Sequence, residues 1–314
     1  MSRVFDIAKT GLASQYLRTA PNQCYSSLSE LTYAAWIKPI SCGDPAGARY
    51  RALLIKAPAF AYNGMWLENG LDLGNGAGIN RLAAEIGVYI SGNSGGAQYA
   101  FGASLDNSIP LGVWTHAGFT FSLTGDRKVH IYISGVPVAM AFSDVGGAGS
   151  VIPDFSDGLW MAWDGDFNQV IPGPGGFDGS VAEIGVWNKA LSSAEMASLA
   201  ASSVGASAIA PVNLVGYWHL CGGSPEADSS PFRNSATVFN SPAVGDDPPA
   251  FICGRSGTTI VLSPVSSFAA GEAYYNMASE YPRDNSPLHE MRRFILYPWA
   301  YNVSPIGSFQ QPPT

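Results

Sequence analysis

The chain has 314 residues, enough for two average domains or for one large all-β domain with an extension. Only 13% of the residues are charged, while 36 glycines and 22 prolines interrupt the chain, which excludes a coiled coil and a helical bundle. A hydrophobic fraction of 46% is enough to bury a core, and the net charge of −8 disfavours nucleic acid or an anionic membrane as partner.

The N-terminal segment, residues 1–17, lacks the apolar stretch of a secretory signal, so we expect synthesis in the cytoplasm without a signal peptide. The sequence also contains no apolar stretch long enough for a transmembrane helix, which predicts no membrane insertion. The four cysteines, at positions 24, 42, 221 and 253, form no CxxC pair, and we interpret them as mostly buried thiols.

Short alternating segments separated by glycine-rich and proline-rich turns follow one another up to about residue 250. In residues 129–134, for example, the apolar β-branched side chains fall on one face, as in a half-buried strand. Many such segments predict an all-β fold, an antiparallel two-sheet β-sandwich of jelly-roll type. Ser192 and Glu195 form a capping box, which predicts one short helix at the edge of this sandwich.

Four segments, in fixed order, resemble the laminin G-like or concanavalin A-like jelly-roll family of lectins and glucanases. They are residues 31–39 with Ala-Trp-Ile-Lys-Pro, residues 112–139 with Trp-Thr-His and a hairpin, residues 177–192, and residues 214–230 with Tyr-Trp-His-Leu. The hairpin departs from the family at Ser134, so its turn depends on Gly135. The resemblance implies a concanavalin A-like jelly-roll domain, which we assign to residues 1–254.

The tryptophans divide into two groups. Trp36, Trp114 and Trp187 lie on predicted strands and suit the space between two packed sheets. A different group, near glycine-rich loops, is predicted to stack on sugar rings: Trp66, Trp160 and Trp163.

Catalysis is not predicted. Residues 92–96 match the GxSxG nucleophile pattern. Chymotrypsin-like proteases need a histidine before this serine, but the first histidine of the chain, His116, follows Ser94. Hydrolases in which the histidine follows the serine have alternating helices and parallel strands, and such a fold is not predicted. Glucanases of the family carry closely spaced carboxylates on one strand, whereas Glu183 stands alone on its predicted strand. Asp164 and Asp166 have an i, i+2 spacing but belong to a glycine-containing loop.

The sequence establishes no cofactor with certainty, and calcium is the one that it suggests. Asp164, Asp166 and Asn168 alternate like the first oxygen ligands of a calcium loop. The family resemblance adds Asp228, because members often hold calcium near the corresponding loop. Histidines and cysteines with recognisable zinc spacing are absent from the sequence.

Residues 255–314 are predicted to form an irregular C-terminal extension rich in aromatic residues and proline. Its aromatic side chains and the apolar face of a short predicted helix suit contacts with identical or different subunits. The alternative is that the extension folds back over the sandwich of its own chain. The predicted assembly residues are Tyr274, Tyr275, Leu288, Met291, Ile295, Tyr297 and Trp299.

Two kinds of function follow from these expectations. The first is a non-catalytic structural or binding protein of a virion or extracellular surface assembly, of the phage capsid-decorating or fibre-associated type, with protein and glycan contacts. The alternative is a secreted carbohydrate-binding, lectin-like module, with a divergent glucanase as a weaker third reading. Low charge, the missing export signal and the aromatic extension favour the first.

Overall fold

The computed structural model describes residues 2–6, 15–25, 28–43, 50–56, 63–69, 78–89, 97–143, 158–162, 176–201 and 205–249. The chain divides into two units, Met1–Cys253 and Gly254–Thr314, and every described residue belongs to the first unit.

Within these ranges nearly all the regular elements of the first unit are antiparallel strands. In chain order they are β1 (Ser2–Phe5), β2 (Tyr16–Thr19), β3 (Glu30–Pro39), β4 (Tyr50–Lys56), β5 (Asn63–Glu68), β6 (Arg81–Tyr89), β7 (Ala97–Ser104), β8 (Thr115–Ser122), β9 (Val129–Ile133), β10 (Val136–Pro137), β11 (Met140–Ser143), β12 (Trp160–Met161), β13 (Gly179–Trp187), β14 (Leu214–Trp218), β15 (Ala236–Phe239) and β16 (Ala243–Gly245). One α-helix, α1 (Ser193–Ala200), and two short 3-10 helices, Gln23–Tyr25 and Ala206–Ala208, complete the described elements.

The strands form two sheets. Sheet A has the order β10-β9-β8-β3-β13-β1-β16, and β14 pairs with the second half of β13. Sheet B has the order β11-β7-β6-β5-β4-β12-β2-β15. This arrangement confirms the predicted antiparallel jelly-roll sandwich with one short helix.

The core lies between the two sheets because each strand alternates apolar residues inward. On β8, for example, Ala117, Phe119 and Phe121 are fully buried in the main apolar cluster, and β6 contributes Leu82 and Ile86 from the other sheet. The same alternation turns the intervening residues of each strand to the outer face of its sheet.

The tryptophan positions correct one expectation. Trp36 and Trp187 are buried, but they lie on the outer face of sheet A rather than between the sheets, and Trp114 is only half-buried. Trp218 occupies the core instead. The strand assignment was right for Trp36 and Trp187, whereas Trp114 directly precedes β8. The face that each ring occupies depends on strand register, including a bulge in β13 between Ala182 and Gly185.

Helix α1 covers part of the outer face of sheet A. Its predicted capping box is present: the Ser192 hydroxyl accepts from the Glu195 N–H at 3.3 Å, and the Glu195 carboxylate accepts from the Ser192 N–H at 2.8 Å. Met196 and Leu199 bury their side chains beside Trp187. Gly118 permits this close approach, because an added Cβ would lie 2.9 Å from Met196 Cε.

The cysteines differ from one another. Cys24 and Cys42 are free thiols, and burial raises the pKa of Cys24 to about 11 and that of Cys42 to about 12. Cys221 is disulfide-bonded, so the expectation of buried thiols was wrong for this residue. Cys253 lies outside the described residues.

The described part of the chain contains no helix that is both long and apolar enough to cross a membrane.

Candidate functional site

Trp66, a predicted sugar-stacking residue, is buried. Its ring is 6% exposed and lies in a small apolar cluster on the outer face of sheet B, 6.0 Å from the ring of Phe101 between centroids. Its indole N–H donates to the Glu68 carboxylate at 3.4 Å. An enclosed ring offers no face to a sugar, so this prediction does not fit the structure. Trp66 lies on β5, a central strand of sheet B. The prediction relied on the nearby glycine-rich loop and did not detect this strand.

Trp160 is also largely buried, at 8% exposure, but it belongs to a group that reaches the surface. Tyr16 and Arg18 contact it, Phe239 stacks on Tyr16, and all three are half-buried. The Arg18 guanidinium lies 4.2 Å above the Trp160 ring, Tyr16 lies 5.3 Å from that ring, and Tyr16 and Phe239 stack at 4.4 Å. We call Tyr16, Arg18, Trp160 and Phe239 the aromatic–arginine cluster.

Three neighbouring strands assemble this cluster through their register. On β2, Leu17 and Thr19 point into the protein, which turns Tyr16 and Arg18 to the outer face of sheet B. Arg18 is paired with Trp160 of β12, and Tyr16 with Phe239 of β15. Sequence reasoning found only Trp160, because the other residues come from segments far apart in the chain.

The cluster has the chemistry of a sugar-binding surface. Aromatic rings offer apolar faces to the C–H groups of a pyranose, and a guanidinium donates hydrogen bonds to hydroxyl or carboxylate oxygens. Polar groups lie alongside: the Gln15 side-chain amide donates to the backbone carbonyl of Asn240 at 3.2 Å.

Farther along the outer face of sheet B lie two buried or half-buried carboxylates. Burial raises the pKa of the Glu85 carboxyl to about 8, so this group is mostly protonated at neutral pH. Glu85 is paired with Phe101 on one side and Gly64 on the other. The second carboxylate, Glu68, forms a buried ion pair with Arg81.

A polar group of different character lies on the outer face of sheet A. Glu183 sits in the bulge of β13 with a left-handed backbone, φ +54°, and is 7% exposed. Its carboxylate accepts hydrogen bonds from the Tyr217 hydroxyl and from His219 Nδ1, the latter at 3.1 Å. Glu183 is the single carboxylate of its predicted strand in the sequence. In the structure it has two hydrogen-bond partners, which β14 and the residue after it supply.

Glu183 and Tyr217 line a pocket of about 240 Å³, solvent at its mouth included, together with Trp36 and His116. The Trp36 and His116 rings meet edge to face, 5.6 Å apart. His116 is 3% exposed, and its burial lowers the pKa of the imidazole to about 4, so the ring is neutral at pH 7.

Asp228 has a structural role that differs from the predicted calcium ligand. Its carboxylate accepts four hydrogen bonds, from the backbone N–H groups of Tyr217, Ser230 and Asn234 and from the Ser230 hydroxyl, at 2.7–2.8 Å. These bonds use the acceptor capacity of a carboxylate. Across the described ranges there is no group of three or more His, Cys, Asp or Glu suited to a metal ion.

One end of the sandwich exposes apolar side chains. The loop between β7 and β8 is hydrogen-bonded at two points, from the Gly112 N–H to the Pro39 carbonyl and from the Asn107 N–H to the Ile79 carbonyl, each at 2.7 Å. We call the exposed apolar residues of this loop and of the segments bonded to it the apolar end: Ile40, Ile79, Leu105, Leu111 and Val113.

The remaining predicted site residues lie outside the described residues. They are Trp163, Asp164, Asp166, Tyr274, Tyr275, Leu288, Met291, Ile295, Tyr297 and Trp299.

Comparison with protein families gives one match that covers well over half of the chain. The family described as the concanavalin A-like lectin/glucanases superfamily matches residues 11–197. None of the curated protein sequences matches the chain.

Solved structures with similar folds share little sequence with the chain. A Bacteroides ovatus protein described as carbohydrate-binding is 17% identical with a TM-score of 0.50, over 76% of this chain and 57% of that one. A SAP-like pentraxin from Limulus polyphemus is 16% identical with a TM-score of 0.40, over 64% and 82%. The enzymatically active domain of a bacteriophage CBA120 tailspike protein is 17% identical with a TM-score of 0.41, over 66% and 28%. The chain thus spans little more than half of the first of these proteins.

Proposed function

Because the chain belongs to the concanavalin A-like lectin/glucanase superfamily, we propose that it is a non-catalytic glycan-binding protein whose aromatic–arginine cluster contacts the sugar. The observation that carries the proposal is the half-buried Tyr16, Arg18 and Phe239 grouped around Trp160 on an outer sheet face. A pyranose stacks on the aromatic faces while the Arg18 guanidinium donates to its oxygens. The buried Trp160 ring supports Arg18 from below.

A binding role without hydrolysis agrees with the carboxylates of the described residues. Retaining glycosidases need two carboxyl groups about 5 Å apart, one of them as acid and the other as nucleophile. Glu183 is instead bonded to Tyr217 and His219, and Glu68 is paired with Arg81. These engaged carboxylates favour a binding module.

Glycan-array screening of the full chain tests the proposal. We expect binding to a subset of oligosaccharides, weakened at least tenfold by Tyr16→Ala and by Arg18→Gln. Lys128→Gln, which removes a surface cation outside the cluster, is the matched control and should bind like the unmodified protein. Absence of binding on arrays of neutral and acidic glycans, or equal binding by the Tyr16 and Arg18 variants, would refute the proposal.

A second proposal concerns assembly: the protein is a subunit of a virion or other extracellular surface assembly, held by protein contacts. The apolar end supports it, since Ile40, Leu105 and Val113 are each more than half exposed, and exposed apolar side chains are typical of protein interfaces. The occupant we propose is another protein subunit of the assembly. The extension, residues 255–314, is proposed as a further contact.

Light scattering separates the two contributions to assembly. Leu111→Asp combined with Val113→Asp should lower the oligomeric state if the apolar end is an interface, and truncation after residue 254 should do so if the extension is. Thr124→Asp, in an exposed turn elsewhere, is the control for added charge. A full-length chain that is monomeric at micromolar concentration, with a destabilised truncation, would overturn the assembly proposal.

A further inference from the structure

Two buried ring nitrogens beneath helix α1 have no hydrogen-bond partner among the residues that the structure describes. They are Trp36 Nε1 and His116 Nδ1, on side chains that are 8% and 3% exposed. Buried polar atoms in folded proteins are nearly always hydrogen-bonded, because an unsatisfied one has lost its hydration without a replacement. Two such atoms on neighbouring, directly paired residues point to a common partner.

Both rings line the pocket on the outer face of sheet A that Glu183 and Tyr217 also line. Leu199 of α1 and Ala206 of the following 3-10 helix contribute to its wall. The interior has room for about one water molecule. The Glu183 carboxylate accepts from Tyr217 and His219, and a carboxylate has about four acceptor positions, so it can accept a further hydrogen bond.

The chemistry of these groups restricts what the pocket can hold. The indole N–H of Trp36 only donates, so the occupant must accept a hydrogen bond, which excludes a metal cation and an ammonium group. The carboxylate of Glu183 repels an anion. A neutral group that both donates and accepts, and that is about the size of one water, remains.

We infer that one ordered water molecule is bound in this pocket, accepting from Trp36 Nε1 and hydrogen-bonded to His116 Nδ1 and the Glu183 carboxylate. The water connects three neighbouring strands, β3, β8 and β13, under the helix. It satisfies two nitrogens that have no partner within the described ranges, as buried water does elsewhere in globular proteins.

Water-selective NMR on the full-length, ¹⁵N-labelled protein tests the inference. The indole N–H of Trp36, assigned with Trp36→Phe, should show a cross-peak to a long-lived water. An indole with a protein acceptor away from the pocket is the internal control and should show none: Trp218 donates to the Asn234 carbonyl at 3.1 Å.

A matched pair of variants shows whether the signal comes from the pocket. Ala206→Val adds two methyl groups to the pocket wall and should abolish the Trp36–water cross-peak, whereas Ala208→Val, exposed in the same 3-10 helix, should leave it unchanged. Absence of the cross-peak from the folded unmodified protein, or its persistence in Ala206→Val, overturns the inference. A high-resolution crystal structure gives an independent readout. Solvent density that bridges the three groups supports the inferred water, whereas a pocket without electron density, or one that holds a buffer molecule, contradicts it.

Discussion

The outer faces of the two sheets differ in which parts of the sequence build them. Each of the four segments that resemble the family contributes to the pocket on sheet A, through Trp36, His116, Glu183 and Tyr217. The aromatic–arginine cluster on sheet B comes entirely from residues outside those segments. The recognisable motifs of this chain therefore support its fold, while the proposed ligand surface lies in stretches that carry no motif.

The two faces also differ in the kind of titratable group that they bury. The pocket on sheet A holds a neutral buried histidine, whereas sheet B carries a carboxyl group that is mostly protonated at neutral pH. Burial disfavours the charged form of both groups. It therefore lowers the pKa of the histidine on sheet A and raises the pKa of the carboxyl on sheet B. Four sets of variants test the differences between the two faces.

The largest effect on stability is expected from removing the Trp187 ring on sheet A. Trp187→Ala should lower the free energy of unfolding by about 3–5 kcal/mol, because the ring is 1% exposed beneath α1 and its N–H is hydrogen-bonded. Trp160→Ala on sheet B should cost less, since its half-buried neighbours can close over the gap, but should weaken glycan binding. Urea unfolding measures both variants. Equal losses of stability would contradict the distinction between a supporting face and a binding face.

Acid should destabilise the protein through His116. Its pKa is lowered from 6.5 to about 4 by burial, so stability is fully present above pH 6.5 and is lost as the pH falls towards 4, by about 3 kcal/mol at full effect. His116→Gln should flatten this part of the pH profile in urea unfolding. The control is Thr124→Ala, in an exposed turn, which should keep the slope of the unmodified protein.

Glu85 should produce the opposite dependence on sheet B. Its folded pKa is raised from 4.5 to about 8, so its contribution is fully present below pH 4.5 and declines as the pH rises through 8. Glu85→Gln should remove that decline from thermal unfolding curves recorded between pH 5 and pH 9. Asp246→Asn, at a largely exposed carboxylate, serves as control. An unchanged alkaline profile in the Glu85 variant would show that this carboxyl is not buried as described.

The smallest effect concerns the helix that distinguishes sheet A. Ser192→Ala removes the hydroxyl of the capping box and should cost about 1 kcal/mol of unfolding free energy. Ser207→Ala, at an exposed position of the following 3-10 helix, should change stability little. Chemical denaturation of the two variants side by side checks the difference. A cost at Ser207 equal to that at Ser192 would argue against a specific capping contribution.

Local patterns in the sequence determined the fold class. The alternation of β8 and β9, the glycine-rich turns and the capping box at Ser192 depend on neighbouring residues, so they are readable without knowing which strands pair. The resemblance of four segments to the family likewise depends on short motifs in order.

Strand pairing and register decided where the side chains lie, and this the sequence did not show. Trp66 is enclosed by side chains of neighbouring strands such as Phe101, and Asp228 is bonded to backbone that folds back on it. Arg18 meets Trp160 although 142 positions separate them in the sequence. A shift of one residue in register moves a side chain to the other face of its sheet, and contacts between distant segments form only in the tertiary structure. For that reason the sequence alone determined the sandwich, while the tertiary structure decided which aromatic rings support it and which reach its surface.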